Sequence, residues 1–204
     1  MVVKALESNG PALAVCAGVV AVKCSVEVLS YSAYGRDTHC DPTAHYGYVK
    51  LNGVAVWQAS WCGKFPARRG VTMIVVDPSS CTILKSRHFD TYYASTTAAH
   101  QLSNYYLQLA NDSVIVGVTA DEPARNLHNA LSTLQELGVD VSDLQLRGSF
   151  AFVAQKGHSS KTLIHKVLTE EESRTAPAHL SVSITGIKVL IVYNLSKSYN
   201  SQYE

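Results

Sequence analysis

The chain has 204 residues, of which 47% are hydrophobic and 16% are charged, and its formal net charge at pH 7 is +1. This length and composition are typical of one globular domain and exclude an intrinsically disordered chain. The small net charge and the lack of long runs of like charge in the sequence give no reason to expect a nucleic acid or an anionic membrane surface as partner.

Residues 1–24 allow two interpretations. Residues 11–22 are apolar and rich in small residues, which recur at the spacing of a signal-peptidase site. The run is much shorter than the ~20 residues that a membrane-spanning helix needs, so we expect no membrane span. We favour a secretory signal segment for residues 1–24, and the alternative is that they form the first strand of the domain.

Strands and loops are predicted over residues 25–70. Alternating apolar and polar side chains predict a strand at residues 25–31, followed by a loop. Residues 46–57 predict a β-hairpin, because Asn52-Gly53 is the dipeptide that a type I′ turn prefers. Residues 58–70 are predicted to be a second loop.

The stretch from residue 68 to residue 157 is predicted to form the central unit of the fold, with the other strands beside it. Its β-branched run at residues 71–76 indicates a strand that is buried on both faces, and a second strand returns at residues 82–89. The spacing of apolar residues between 91 and 110 predicts a helix. Residues 113–119 then predict a further strand.

A second helix is predicted from Asp121 to Gly138. Asp121 suits the N-cap position and Pro123 suits the first turn, while Gly138 is a fitting residue just beyond the C-terminus. The remaining predicted elements are a strand at residues 149–155, a long polar loop at 157–178, strands at 180–185 and 187–193, and a polar tail to residue 204.

These strands and helices do not alternate as repeated βαβ units. The mixture predicts an α+β fold, mainly an antiparallel β-sandwich-like domain with flanking helices. We assign this domain to residues 25–186 and a C-terminal strand with a polar tail to residues 187–204.

The sequence contains no signature of a known catalytic centre. It lacks the nucleophile elbow, the zinc-protease motif and the dinucleotide-binding fingerprint. Its eight histidines are scattered, so neither a metal site nor a cofactor is expected. Residues 156–162 have the composition of a phosphate-binding loop but the wrong spacing. We therefore expect a protein that is not an enzyme.

Three charged residues lie at the ends of predicted strands. Arg69 precedes the buried strand, Asp121 follows the third apolar run, and Arg147 precedes the strand at 149–155. Planar arginine donors, a carboxylate and a nearby aromatic ring, such as Tyr92 or Trp57, suit a sugar-binding site. The simpler alternative is that Asp121 caps a helix and the two arginines form ion pairs.

Five cysteines occur, at positions 16, 24, 40, 62 and 81. Cys40 and Cys62 bracket the predicted hairpin and would suit a disulfide in an oxidising compartment, whereas the alternative is that all five are buried free thiols. The odd number leaves one thiol available to another chain, which allows a homodimer. Acceptor motifs for N-glycosylation occur at Asn111 and Asn194.

Five segments of the sequence match a known family in order and spacing. They are Arg69-Gly70 with the run to Asp77, Phe89-Asp90-Thr91-Tyr92, Val114-Ile115-Val116 leading to Asp121-Glu122, residues 134–138, and residues 146–153 with Lys156-Gly157. On these segments the chain resembles the interleukin-like EMT inducer (ILEI) domain family, which includes the PANDER-like secreted proteins. The same domain occurs in the stem of protein O-mannose β-1,2-N-acetylglucosaminyltransferase and in cell-migration-inducing hyaluronidases. The resemblance covers about residues 25–186.

The resemblance implies a non-enzymatic domain in a secreted or secretory-pathway protein. In the transferase stem the similar domain binds β-linked N-acetylglucosamine, through positions that correspond here to Arg69, Asp121 and Arg147. The family usually has Trp where this chain has Phe150 or Phe152, and the last residues, 187–204, have no recognised counterpart. The resemblance thus implies a lectin-like module that binds a glycan or a cell-surface glycoprotein. The alternatives are a cytokine-like ligand for a cell-surface protein and an accessory domain of a glycan-processing protein.

Overall fold

The computed structural model describes residues 14–32, 45–60, 68–93, 95–157 and 162–194. Within these ranges the helices are α1 (Ser95–Leu107), α2 (Leu131–Glu136) and α3 (Glu170–Thr175), and a 3₁₀ turn spans Leu127–Ala130. The strands there are β1 (Ala14–Ser32), β2 (His45–Leu51), β3 (Val54–Ser60), β4 (Gly70–Asp77), β5 (Thr82–Phe89), β6 (Val114–Asp121), β7 (Ser149–Gln155), β8 (Thr162–Leu168) and β9 (Ala178–Asn194).

The strands form two groups within one hydrogen-bonded network. The first group has the order β9-β1-β2-β3, and the second has the order β5-β4-β6-β7-β8. Neighbours within each group are antiparallel, as predicted. The two groups meet where the end of β1 pairs in parallel with the end of β6, through Tyr31 with Ala120 and Ser32 with Asp121.

Strand β4 is buried on both faces, as its β-branched sequence predicts. On one face Ile74 and Val76 share a cluster with side chains of the first strand group, among them Val26. On the other face Met73 and Val75 pack into a cluster with the helices. The result is a sheet-dominated α+β domain in which the second strand group lies between the first group and the helices.

The predicted hairpin and the first helix are both confirmed. Asn52 and Gly53 have φ angles of +48° and +80°, the positive values that a type I′ turn requires. The amide of Asn52 donates to the carbonyl of Ser25 over 2.8 Å, so the turn also contacts β1. Helix α1 buries Ala98, Leu102, Tyr105 and Tyr106, which share one apolar face at the predicted spacing, and Leu109 is buried just beyond its end.

Three predicted boundaries are wrong. The stretch from 157 to 178 contains β8 and α3, and α3 begins with a capping box between Thr169 and Glu172. The two predicted final strands are one strand, β9, which pairs with β1 from Ala178 to Asn194. The helix predicted from Asp121 is preceded by an extended segment, and helical structure begins only at the 3₁₀ turn.

Residues 14–24 belong to β1, which continues without interruption to Ser32. Residues 1–13 lie outside the described residues. In the described parts of the chain, no helix combines the length and the apolar character that crossing a membrane would require.

A disulfide joins Cys24 in β1 to Cys81 in the turn between β4 and β5. The two Cα atoms are 5.3 Å apart, and 57 positions separate them in the sequence. Cys24 is completely buried. The bond therefore ties the first strand group to the second. The predicted partners Cys40 and Cys62 lie outside the described residues, so that pairing stays a prediction.

Replacing both Cys24 and Cys81 by Ala should lower the free energy of unfolding by about 4 kcal/mol, because the bond closes a 57-residue loop in the unfolded chain. Urea unfolding with and without a reductant measures this effect. Reductant should destabilise the wild-type protein more than the variant, because only the wild-type protein loses the Cys24–Cys81 bond. An equal response of both proteins to reductant would contradict the assignment of this bond.

The turn after β4 predicts a response to acid. The side-chain and backbone donors of Ser79, together with the Ser80 hydroxyl, lower the pKa of Asp77 to about 2. Because the folded pKa is below the unfolded value of about 3.9, this contribution is present above pH 4 and is lost as the pH falls towards 2. The difference in stability between wild type and Asp77→Asn should therefore shrink between pH 4 and pH 2, as measured by urea unfolding. A difference that does not change with pH would contradict this origin.

Candidate functional site

Four segments of the chain meet at one end of the second strand group. Arg69 directly precedes β4, whose first residue pairs with Ala120 of β6, so Arg69 lies beside the following residue, Asp121. Phe89 of β5 pairs with the start of β4 and brings the turn 90–93 to the same place. The amide of Phe150 in β7 donates to Thr119 Oγ1 over 3.1 Å, which positions the preceding residue range, 146–148.

Asp121 is shared by the two arginines that the sequence analysis singled out. Arg147 Nη1 donates to Asp121 Oδ1 over 2.9 Å, and Arg69 Nη1 lies 3.7 Å from Asp121 Oδ2. Asp121 is only 5% exposed. Burial raises the pKa of the Asp121 carboxyl, and the charges of Arg147 and Arg69 oppose this rise. The two guanidinium groups thus compensate a carboxylate that has little access to water.

Glu122 fixes the loops on both sides of Asp121. Its side chain is completely buried and accepts hydrogen bonds from the backbone N–H groups of Ala124, at 2.8 Å, Arg125, at 3.1 Å, and Arg147. Burial raises the pKa of Glu122, and these backbone donors act in the opposite direction. The Glu122 carboxylate therefore holds the backbone of Arg147 while Asp121 holds its guanidinium.

The backbone at this site is strained at defined positions. Asp121 has a φ angle of +61° and Arg147 has a φ angle of +64°. A residue with a side chain adopts this left-handed conformation at a cost, and such residues persist where surrounding contacts hold them in place. Here the ion pair between Asp121 and Arg147 joins two strained residues directly.

An aromatic pair lies against Arg69. The guanidinium carbon of Arg69 is 4.5 Å from the centre of the Tyr92 ring and 4.2 Å from the centre of the Tyr93 ring. Asp90 Oδ1 accepts from the amides of Tyr92 and Tyr93 and shapes the turn that carries them. Arg125 stacks on Tyr92 at 4.8 Å. The two rings thus stand beside two guanidinium groups.

Hydrogen bonds fix the aromatic turn to the segment that follows Asp121. Thr91 Oγ1 donates to the carbonyl of Pro123 over 2.7 Å, and Asn126 Nδ2 donates to the carbonyl of Tyr92 over 3.0 Å. Gly70 allows this close approach, because a Cβ atom there would lie 2.8 Å from the amide nitrogen of Thr91. The site is therefore assembled by tertiary contacts between separate loops.

One buried donor at the site has no acceptor among the described residues. Arg69 Nε is inaccessible to solvent and makes no hydrogen bond there. Arg69 Nε forms an ion pair with Asp90 Oδ1. The distance between these two atoms is 3.9 Å, which is too long for a hydrogen bond. Natural structures satisfy most such groups, so this donor is unusual within the described part of the chain.

The structure brings together Arg69, Asp121 and Arg147 with Tyr92, as the sequence analysis anticipates. The helix-cap interpretation of Asp121 is wrong, because this residue ends β6 and the cap-like bonds to the following amides come from Glu122. Trp57 is 5% exposed and contacts Arg68, at a ring-to-guanidinium distance of 5.7 Å.

Phe150 and Phe152 are completely buried, so neither forms an aromatic surface for a sugar. Sequence reasoning missed Glu122, Asp90 and Tyr93 as members of the site. Glu122 and Tyr93 directly follow the predicted site residues Asp121 and Tyr92, and this adjacency could have identified them.

The asparagines of the two predicted N-glycosylation motifs lie at described positions of the fold. Asn111 is exposed in the turn before β6, and Asn194 is the last residue of β9. Among the described residues, no group of three or more His, Cys, Asp or Glu side chains is close enough together to hold a metal ion.

The fold and the site define a sheet-dominated α+β domain with a buried ionic network beside two tyrosines. Residues 69–158 match the family model described as "Interleukin-like EMT inducer". The matched segment contains the ion network and both tyrosines of the site.

The chain is also similar to the human protein named "Cell migration-inducing and hyaluronan-binding protein". The two sequences are 29% identical over 138 residues. The alignment covers 66% of this chain but only 9% of that much longer protein.

Replacing Asp121 by Asn should lower the free energy of unfolding by about 3 kcal/mol, because both arginines lose a buried counter-charge. Asn tolerates a positive φ, so the backbone does not confound the result. Urea unfolding measures the loss, and the matched control is Asp143→Asn, at an exposed position, which should change stability by no more than about 0.5 kcal/mol. Equal effects of the two substitutions would show that the network does not stabilise the fold.

Proposed function

We propose that this chain is a non-enzymatic carbohydrate-binding module of a secreted or lumenal protein. Its binding site consists of Arg69, Asp121 and Arg147 with the ring pair of Tyr92 and Tyr93. The observation that carries the proposal is the arrangement of planar donors beside aromatic rings, held in place by buried carboxylates. The N–H groups of a planar guanidinium can donate to the hydroxyl and acetamido oxygens of a sugar. An aromatic ring can stack on the C–H face of the sugar.

The residues of this site would have different roles in binding. Arg147 is the arginine of the network with the larger exposed fraction, 30% of its side chain, and it would contact the sugar directly. Tyr93 is 62% exposed and offers a stacking surface. Arg69 is mostly buried and would act by positioning the two tyrosines.

The name of the human relative supports a glycan ligand in general terms. The human relative is named as a hyaluronan-binding protein, and hyaluronan is a polysaccharide. The ligand that we propose for the Arg147 site is a terminal N-acetylglucosamine or a related sugar.

The proposed compartment agrees with two features of the chain. Disulfides such as Cys24–Cys81 form and persist mainly in oxidising compartments. The acceptor motif at Asn111 lies at an exposed position, where a glycan can be attached.

A second candidate function is that of a cytokine-like ligand for a cell-surface protein. The observation that favours it is the exposure of two apolar side chains beside the site, Tyr93 at 62% and Leu146 at 54%. Exposed apolar side chains can mark a protein interface where they form a contiguous patch. In this alternative the ion network only stabilises the loops that present these side chains. An accessory role within a longer protein is compatible with either function.

A glycan array with terminal N-acetylglucosamine ligands tests the proposal. The wild-type chain should bind, and Arg147→Ala should weaken binding at least about tenfold, because it removes charge-assisted hydrogen bonds. Arg147→Lys keeps the charge but loses the fork geometry, so its affinity should be intermediate. Circular dichroism and urea unfolding identify any variant that has lost its fold.

The matched control is Arg87→Ala, at an exposed position of β5, which should leave binding unchanged. A blank array from folded wild-type protein would overturn the glycan proposal and favour the protein-ligand alternative. Equal binding by wild type and folded Arg147→Ala would place any sugar site elsewhere.

A further inference from the structure

Strand β5 forms one edge of the second strand group. It pairs with β4 and with no other described strand, so its outer side offers backbone N–H and C=O groups to a further strand. The pairing with β4 is regular over residues 85–89 and is interrupted at Leu84, which has no partner residue on β4. A strand that adds to this edge would therefore pair along residues 85–89.

Two cations of β5 share one face of the strand and lie against aromatic rings. Lys85 and Arg87 are two positions apart, and both are exposed. Lys85 Nζ lies 5.7 Å from the centre of the Tyr105 ring, and the guanidinium carbon of Arg87 lies 5.9 Å from the same centre. The guanidinium carbon of Arg87 is also 5.6 Å from the centre of the Phe89 ring. These contacts hold both charges beside the strand edge, so less side-chain freedom is lost when a partner binds them.

The surface around these cations carries little negative charge. Among the described residues, neither Lys85 nor Arg87 forms an ion pair with a carboxylate. From residue 78 to residue 111 the sequence contains one acidic residue, Asp90, whose Oδ1 accepts from amides of its own turn. This range includes helix α1, which packs against β5 through Tyr105. An anionic partner would thus meet a positive surface with few competing carboxylates.

A second copy of this chain does not suit this edge. In an antiparallel pair of two β5 strands centred on Ser86, Lys85 of one copy would face Arg87 of the other. Like charges that face each other destabilise a sheet, and charged side chains keep edge strands from associating with their own kind. A strand that carries carboxylates meets no such repulsion, and it would also cover Leu84, whose side chain is 64% exposed.

We propose that the outer edge of β5 binds an extended acidic segment of a partner protein. The segment would add to the sheet as a further strand, with backbone hydrogen bonds for affinity and side chains for specificity. Two acidic residues separated by one position lie on the same face of such a strand, where they face Lys85 and Arg87. This surface uses none of the residues of the proposed glycan site, so the inference does not depend on the proposed function.

An NMR titration of the ¹⁵N-labelled chain with two blocked heptapeptides tests the inference. The first is Thr-Thr-Glu-Val-Glu-Thr-Thr, with both carboxylates on one face. The second, Thr-Thr-Val-Glu-Glu-Thr-Thr, has the same composition and charge but places them on opposite faces. The first should bind about threefold more tightly, because only it forms both cross-strand ion pairs. The amides of residues 84–89 should shift most, and their exchange with solvent should slow down.

Variants at exposed positions separate this surface from the general charge of the chain. Lys85→Gln and Arg87→Gln should each remove the preference for the first peptide. Lys166→Gln is the matched control and should keep it, because it makes the same change at an exposed position of β8, the strand at the other edge of the group. The double variant Lys85→Glu with Arg87→Glu should instead prefer Thr-Thr-Lys-Val-Lys-Thr-Thr over its shuffled form. Circular dichroism verifies that each variant is folded.

Four results would overturn the inference: equal affinities for the two glutamate peptides, a preference that survives in Arg87→Gln, amide shifts that lie outside β5, and tighter binding of a sulfated heparin tetrasaccharide at the same residues. The last result would show a surface that accepts any polyanion. No sugar is present in the peptide titration, so its outcome is independent of the glycan array.

Discussion

The arrangement at the end of β6 depends on keeping one carboxylate, Asp121, out of water between two arginines. Burying a charge is costly unless partners compensate it, so Arg69 and Arg147 must stay in place for the loops to keep their conformation. Asp121 also pairs with Ser32 where the two strand groups join. Asp121 thus contacts the sheet junction through its backbone and, through Arg69, the tyrosine pair.

Elements with strong local signals were predictable from sequence. The β-branched run of β4 and the Asn52-Gly53 turn each follow a rule in which neighbouring residues decide the structure. The meeting of Arg69, Asp121 and Arg147 was predictable for a related reason. Each lies at a strand end, and strand ends in an antiparallel sheet gather at its rims.

The errors arose where tertiary contacts override local preference. Asp121 looks like a helix cap, but pairing with β1 and the contacts of Glu122 extend the chain there. Strand β8 has the sequence Thr-Leu-Ile-His-Lys-Val-Leu, which is partly apolar, but it lies within a polar stretch and pairs only with β7 among the described strands. The pairing of Cys24 with Cys81 depends on how two strand groups stack, which cysteine spacing alone does not encode.

The disulfide also changes what proteolysis can do to this chain. Cys24 and Cys81 enclose β2, β3 and β4 within one covalent ring. If a protease cuts a single peptide bond inside this ring, the two products remain attached through sulfur. Such a nicked molecule keeps its full mass and both strand groups until it meets a reducing environment. A cut inside the ring would therefore go undetected on a non-reducing gel, and reduction would release the two pieces.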